Sequence, residues 1–303
     1  SKSVGQIVTE DEFAHVQKVF DVTKKRERTT IPPISVNTTK YRGRMLEPDD
    51  VLNLFAGNIT TCCQRFGDVG EGAMLLGSVE ENGGIFVVEE LDEDGQTKNI
   101  VGQSLTIRQK GNDGAYDRLT FDNIEINNDT LDTLSDEDQT QILEIYKQAG
   151  KQAIEKDKKF LGKLLKNKKI TQEQYDRLVL KEVTAGTGYN DLKGLGELPQ
   201  AQIVVPDEAY YTYNGMNRQR REAWIDSAGG YAPNGSNGTP VVLANMDEND
   251  LKQIQERKDN SKIEAKATDI PLWYGKVGKV QSLTGNEITK EKVELLKQIE
   301  SIV

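Results

Sequence analysis

Asp122 and Glu125 stand close together in the run Phe121-Asp122-Asn123-Ile124-Glu125. Alternation along a strand sends Asp122 and Ile124 to one face and Asn123 and Glu125 to the other. Carboxylates on a strand are uncommon inside a protein and often functional, so either residue is a candidate base toward a substrate amine. The competing reading places both at a strand end, solvated or capping a turn.

Two other runs carry reactive or ligand-holding groups. Val183-Thr184-Ala185-Gly186-Thr187-Gly188-Tyr189-Asn190-Asp191 is a glycine-containing loop after a predicted strand, where the backbone amides of Gly186, Gly188 and Asn190 can approach a phosphate. It lacks the Lys-Ser/Thr of a phosphate-binding loop and the third glycine of a dinucleotide fingerprint, so a simple turn competes with it. Gly57-Asn58-Ile59-Thr60-Thr61-Cys62-Cys63-Gln64 pairs two thiols. A thiolate nucleophile needs a neighbouring base or cation, and the chain has one histidine, His15, on the polar side of a predicted helix. Cys62 and Cys63 therefore read as small buried residues rather than as a hydrolase centre. The single histidine and two cysteines also fall short of a four-ligand zinc shell. No histidine follows Trp224-Ile225-Asp226-Ser227, which argues against a serine triad there.

Charge narrows the partners. There are 39 basic and 49 acidic residues in the 303-residue chain, a net charge of −10, which opposes attraction to nucleic acid and to anionic membranes. One local exception is the lysine cluster Lys151, Lys156, Lys158, Lys159, Lys163, Lys166, Lys168 and Lys169, which reads as a solvated helix face. No apolar run is long enough to span a bilayer, and the first residues lack a signal-peptide profile, so a cytoplasmic setting is expected. The start at Ser1 suggests a piece of a larger or processed protein.

The elements that must position these groups follow from periodicity. Thr9 with Glu12 opens a helix over residues 10 to 24, Pro32-Pro33 an extended connection, and Pro48-Asp49-Asp50 a second helix through Phe55. Short β-rich runs then cover 73 to 79, 85 to 91, 100 to 109 and 118 to 126, joined by turns at Glu81-Gly84, Asp92-Gly95 and Gly111-Gly114. An antiparallel meander is expected. Ser135 with Asp138 caps a long helix whose Ile142, Ile145, Tyr146, Ala149 and Ala153 share one face, and Thr171 with Gln174 opens another. Further strands are predicted at 181 to 184, 203 to 205, 210 to 213, 223 to 225 and 241 to 243, a loop at 229 to 238, and a last helix at 289 to 302.

The succession Ile85-Phe86-Val87-Val88-Glu89, acidic turn, Ile100-Val101-Gly102-Gln103-Ser104, Leu119-Thr120-Phe121-Asp122-Asn123-Ile124-Glu125 and helix resembles the centre of the GNAT-type N-acyltransferase superfamily. The string with Cys-Cys-Gln and Asp-Asn-Ile-Glu also looks similar to GNAT-like modules of large phage and mobile-element proteins. The resemblance implies an α/β (α+β) fold with a central, mostly antiparallel sheet flanked by helices. N-terminal helices would cover residues 1–56, the GNAT-like core 57–245 and a helical extension 246–303. It implies acyl transfer from acyl-coenzyme A to an amine, with Asp122 or Glu125 as base and Tyr189 or Tyr210 returning a proton to the leaving thiolate. Gly186, Gly188 and Asn190 would hold the cofactor. The alternative is a non-catalytic binding or scaffold module of a larger protein, whose partners are proteins.

Overall fold

The structure is a computed structural model that describes residues 28–47, 50, 52–62, 83–109, 115–187, 192–202, 240–258 and 273–274. In chain order these form β1 (Arg28–Thr29), β2 (Ser35–Asn37), β3 (Tyr41–Met45), α1 (Leu52–Ile59), β4 (Gly83–Leu91), β5 (Thr97–Gln109), β6 (Arg118–Asn123), α2 (Asn128–Thr133), α3 (Asp136–Lys166), α4 (Gln172–Leu178), β7 (Glu182–Gly186), β8 (Val241–Asn245), α5 (Glu248–Lys258) and β9 (Trp273–Tyr274). Among the described residues, β2 to β8 make one seven-stranded sheet in sequential order, and β1 pairs with β9 in a separate ribbon.

The meander predicted from residue 85 onward is present: β4, β5 and β6 are consecutive antiparallel neighbours. Its first member is different. Gly83 and Gly84, expected in a hairpin turn, are instead the opening residues of β4, paired with Ile107 and Thr106. The extended connection after Pro33 is a hairpin of two strands, β2 and β3, which extends the sheet on the far side of β4. Asp92-Gly95 turns as expected, with the Asp92 carboxylate accepting from the backbone N–H of Asp94 at 3.0 Å and of Gln96 at 2.8 Å. The predicted helices at 10 to 24 and 289 to 302, and the strands at 73 to 79, 203 to 205, 210 to 213 and 223 to 225, lie outside the described residues.

A parallel neighbour cannot be reached by a tight turn, so the chain crosses over through α2, α3 and α4 before β7 enters alongside β6. The long α3 starts where the sequence signals it. The Ser135 side chain accepts from the Asp138 backbone N–H, and Ile142, Ile145, Tyr146, Ala149 and Ala153 are buried against the sheet. Phe86, Phe121 and Tyr146 form an aromatic triangle with 5.2 Å between each pair of ring centroids, which fixes the helix over β4 and β6. Two glycines allow the close approach. A Cβ at Gly43 would collide with Ile145 and would lie 2.6 Å from Phe86, while one at Gly150 would lie 3.1 Å from Ala244.

Both outer strands are closed. The Gln152 amide takes the N–H of Ser35 and donates to its carbonyl, each at 2.7 Å, and so imitates a further strand along β2. At the other end, residues 199 to 201 bond along β8. The helix α5, inside the segment expected as an extension, packs on α4 with Ile254 buried and Arg257 bound to Asp176 through both Nε and Nη2.

Candidate functional site where two strands part

β6 and β7 run in parallel register from Arg118↔Glu182 to Phe121↔Ala185, and the next pair is Asn123↔Gly186. The register steps over Asp122, and both strands then end. The β6 chain stays with β5: Glu125 and Gln103 exchange backbone hydrogen bonds of 2.9 and 2.8 Å. Past Asn123 and Gly186, therefore, one chain follows β5 and the other leaves the ladder.

A second irregularity decides where Glu125 faces. β5 takes three steps from Thr106 to Gln103, while its partner takes four from Phe121 to Glu125, because Thr106 pairs with Phe121 and Gln103 with Glu125. The extra residue is a bulge. Four regular steps would return Glu125 to the face of Phe121, on the α3 side. The bulge instead places it on the face of Gln103, away from α3. The alternation expected over residues 121 to 125 is thus broken, and Asp122 and Glu125 cannot be assigned to opposite faces by counting.

Both carboxylates are deeply buried, Asp122 at 1% exposure and Glu125 at 3%, which rules out the solvated strand end. Gln103, Ser104, Asn123, Thr120 and Thr184 are buried beside them. Ser104 Oγ donates to the carbonyl of Asn123 and lies 3.1 Å from the Tyr146 hydroxyl. Thr120 and Thr184 share a hydroxyl hydrogen bond of 2.9 Å across β6 and β7, and Arg118 pairs with Glu182 at 2.5 Å further down the same two strands. A polar row therefore leads along the parallel pair to the point where it opens. Burial drives the Tyr146 phenol far above its usual value, the Ser104 hydrogen bond opposes that, and the charge of Glu125 adds to it. The Tyr146 hydroxyl shares a hydrogen bond with Ser104, and burial favours its neutral form.

Of the residues expected at a site, Asp122, Glu125 and Gly186 are brought to this parting. Gly188, Tyr189, Asn190 and Tyr210 lie outside the described residues. Cys62 is fully buried at the end of the α1 segment, as expected for a small core residue, and Cys63 lies outside the described residues. Gln103, Ser104 and Tyr146 were not anticipated. The available signal was a polar pair, Gln103-Ser104, inside an otherwise apolar strand, and a tyrosine on the apolar face of α3.

The helix N-termini that follow β6 bear on cofactor binding. Asn127 Oδ1 accepts from the Asp129 N–H at 2.8 Å at the start of α2, and Ser135 Oγ accepts from the Asp138 N–H at 3.1 Å at the start of α3. Asp136, Glu137 and Asp138 fill the first turn of α3. These ends are closed by the chain's own caps and negatively charged, so they do not fit a pyrophosphate.

Among the described residues no group of three His, Cys, Asp or Glu is arranged to hold a metal ion, and no helix is long and apolar enough to cross a membrane. The chain matches no protein-family model, no curated protein and no solved structure.

Proposed function

We propose that the chain is a GNAT-like module used for binding or as a scaffold for protein partners. The carrying observation is the self-capped, acidic start of α2 and α3, the position from which the resemblance implies that a coenzyme A pyrophosphate would be held. The GNAT-like part of the reading is supported by the order antiparallel meander, helical crossover, parallel strand, with the parallel pair parting at its end. The test is isothermal titration of the full chain with acetyl-coenzyme A and, separately, with coenzyme A. No heat of binding is expected from either. Micromolar binding of either would overturn the scaffold reading.

One observation favours a second reading, acyl transfer to an amine. Asp122 and Glu125 are buried at the strand parting, and buried carboxylates are uncommon and concentrate at functional sites. In that reading Glu125 accepts the proton of a small-amine or peptide-amine acceptor, and Ser104 with Tyr146 fixes the backbone of Asn123 beside it. Turnover with acetyl-coenzyme A that is lost in Glu125→Gln would establish it, and absence of turnover in the unaltered chain would end it.

A further inference from the structure

The C-terminal end of α3 breaks three local rules of helix stability at once. Lys159 and Lys163 are like charges one turn apart, which destabilises a helix. Gly162 shares a face with Lys159, three residues before it, and Lys166, four after it, and a Cβ there would meet nothing within 4 Å, so no packing constraint demands a glycine. Beyond the helix, the N–H of Lys168 bonds to the Leu165 carbonyl at 2.9 Å and that of Lys169 to Leu164 at 2.9 Å. This is the Schellman ending, and its left-handed position, normally glycine, holds Lys168 at φ 55°.

The result is a patch of five exposed lysines, Lys159, Lys163, Lys166, Lys168 and Lys169, around a spot on the helix with no side chain. Among the described residues none of the five makes an ion pair, whereas Lys40, Lys98, Lys147, Lys158, Lys181 and Lys193 each do. Lysines in the last turn of a helix do complement its dipole. That accounts for Lys163 and Lys166, but not for Lys159 a turn earlier, nor for a lysine where glycine is preferred. Places where a sequence departs from local stability without a packing reason are where function is expected.

We propose that this patch docks an acidic polypeptide segment of a partner protein. A short acidic segment matches the patch, because the helical part from Lys159 to Lys166 spans only about 10 Å. A nucleic-acid duplex would run on over a chain of net charge −10. The five are also all lysine, compact point charges that can each take a carboxylate without a fixed bidentate geometry. Gly162 leaves room for the backbone of the segment to lie against the helix while its carboxylates reach the flanking ammonium groups.

The experiment is fluorescence anisotropy of a labelled oligoglutamate peptide with the full chain, at low and at physiological ionic strength, with a labelled DNA duplex of similar charge in parallel. Saturable peptide binding is expected at low salt, weakened about tenfold by the added salt. The Lys159→Gln, Lys163→Gln, Lys166→Gln variant should lose at least about tenfold in affinity. Lys151→Gln with Lys252→Gln, exposed cations elsewhere, should bind like the parent. Gly162→Leu should melt at a higher temperature yet bind the peptide severalfold more weakly, which separates docking from folding. No saturable peptide binding by the parent, equal binding by the triple variant, or tighter binding of the duplex than of the peptide would overturn the proposal.

Discussion

Single residues carry more of this fold than their local sequence announces. Arg108, 1% exposed, uses every donor of its guanidinium: Nε to the Tyr116 carbonyl at 2.8 Å, Nη1 to Thr30 and Asp157, and Nη2 to Asp157 and the Leu178 carbonyl. Asp157 in turn accepts the Leu180 N–H at 2.9 Å. One ion pair thus ties β5, α3 and the entry to β7 together. Removing one partner leaves a buried charge, so Asp157→Leu is expected to cost about 3–5 kcal/mol in guanidinium unfolding, and the double variant with Arg108→Met considerably less. Equal losses in the single and double variants would show that the charge is not the cause. Gly43→Ala tests the other kind of constraint. The methyl would press on Ile145 and Phe86, and a loss of about 1–3 kcal/mol is expected from the same unfolding curve. The candidate carboxylates were visible as residue types, but the bulge that sets Glu125 on the Gln103 face was not. Nothing within residues 121 to 125 specifies how many residues β5 spends opposite them.

At the scale of elements, local signals performed well where the determining groups sit within one turn. Ser135 and Thr171 both cap the helices that their spacing predicted, the latter in a full capping box with Gln174. The start of α3 is also tied to the sheet. Asp138 accepts from Lys40 at 2.5 Å, Tyr41 at 2.9 Å and Ser135 at 2.7 Å. The Lys40 hydrogen bond, followed by that of Ser135, holds the Asp138 carboxyl well below its ordinary 3.8, and burial only partly opposes this. A carboxylate whose value is depressed on folding adds stability above its unfolded value and forfeits it as the pH falls. The melting temperature of the unaltered chain should therefore drop more steeply between about pH 5 and pH 2 than that of Asp138→Asn. Parallel slopes would show that the contact contributes nothing. On the alkaline side, burial pushes the Tyr41 phenol up to about 12, so its ultraviolet ionisation should follow that of exposed tyrosines.

In the whole molecule, the sheet is completed by residues far along the chain. β8 closes the open side of β7, and α5 is tied to α4 through Ile254 and Arg257–Asp176 and to α3 through Lys158–Asp250. Deleting residues 240 to 258 would bare the β7 edge, so loss of a cooperative melt and aggregation on size-exclusion chromatography are expected. A monomeric truncation with an unchanged melt would show that β8 and α5 are dispensable. What the sequence by itself determined was the mixed α/β class, the strands from residue 85 to 123, the two capped helix starts and the apolar face of α3. Each of these depends on residues within a few positions of one another, through alternation, helical period or a cap. Only the tertiary structure decided the parallel seat of β7 beside β6, the partners of Arg108, the bridge between Gln103 and Glu125, and the contact of Ser104 with Tyr146. Those contacts join residues up to 78 positions apart, where pairing is set by how the crossover packs and by where the bulges fall.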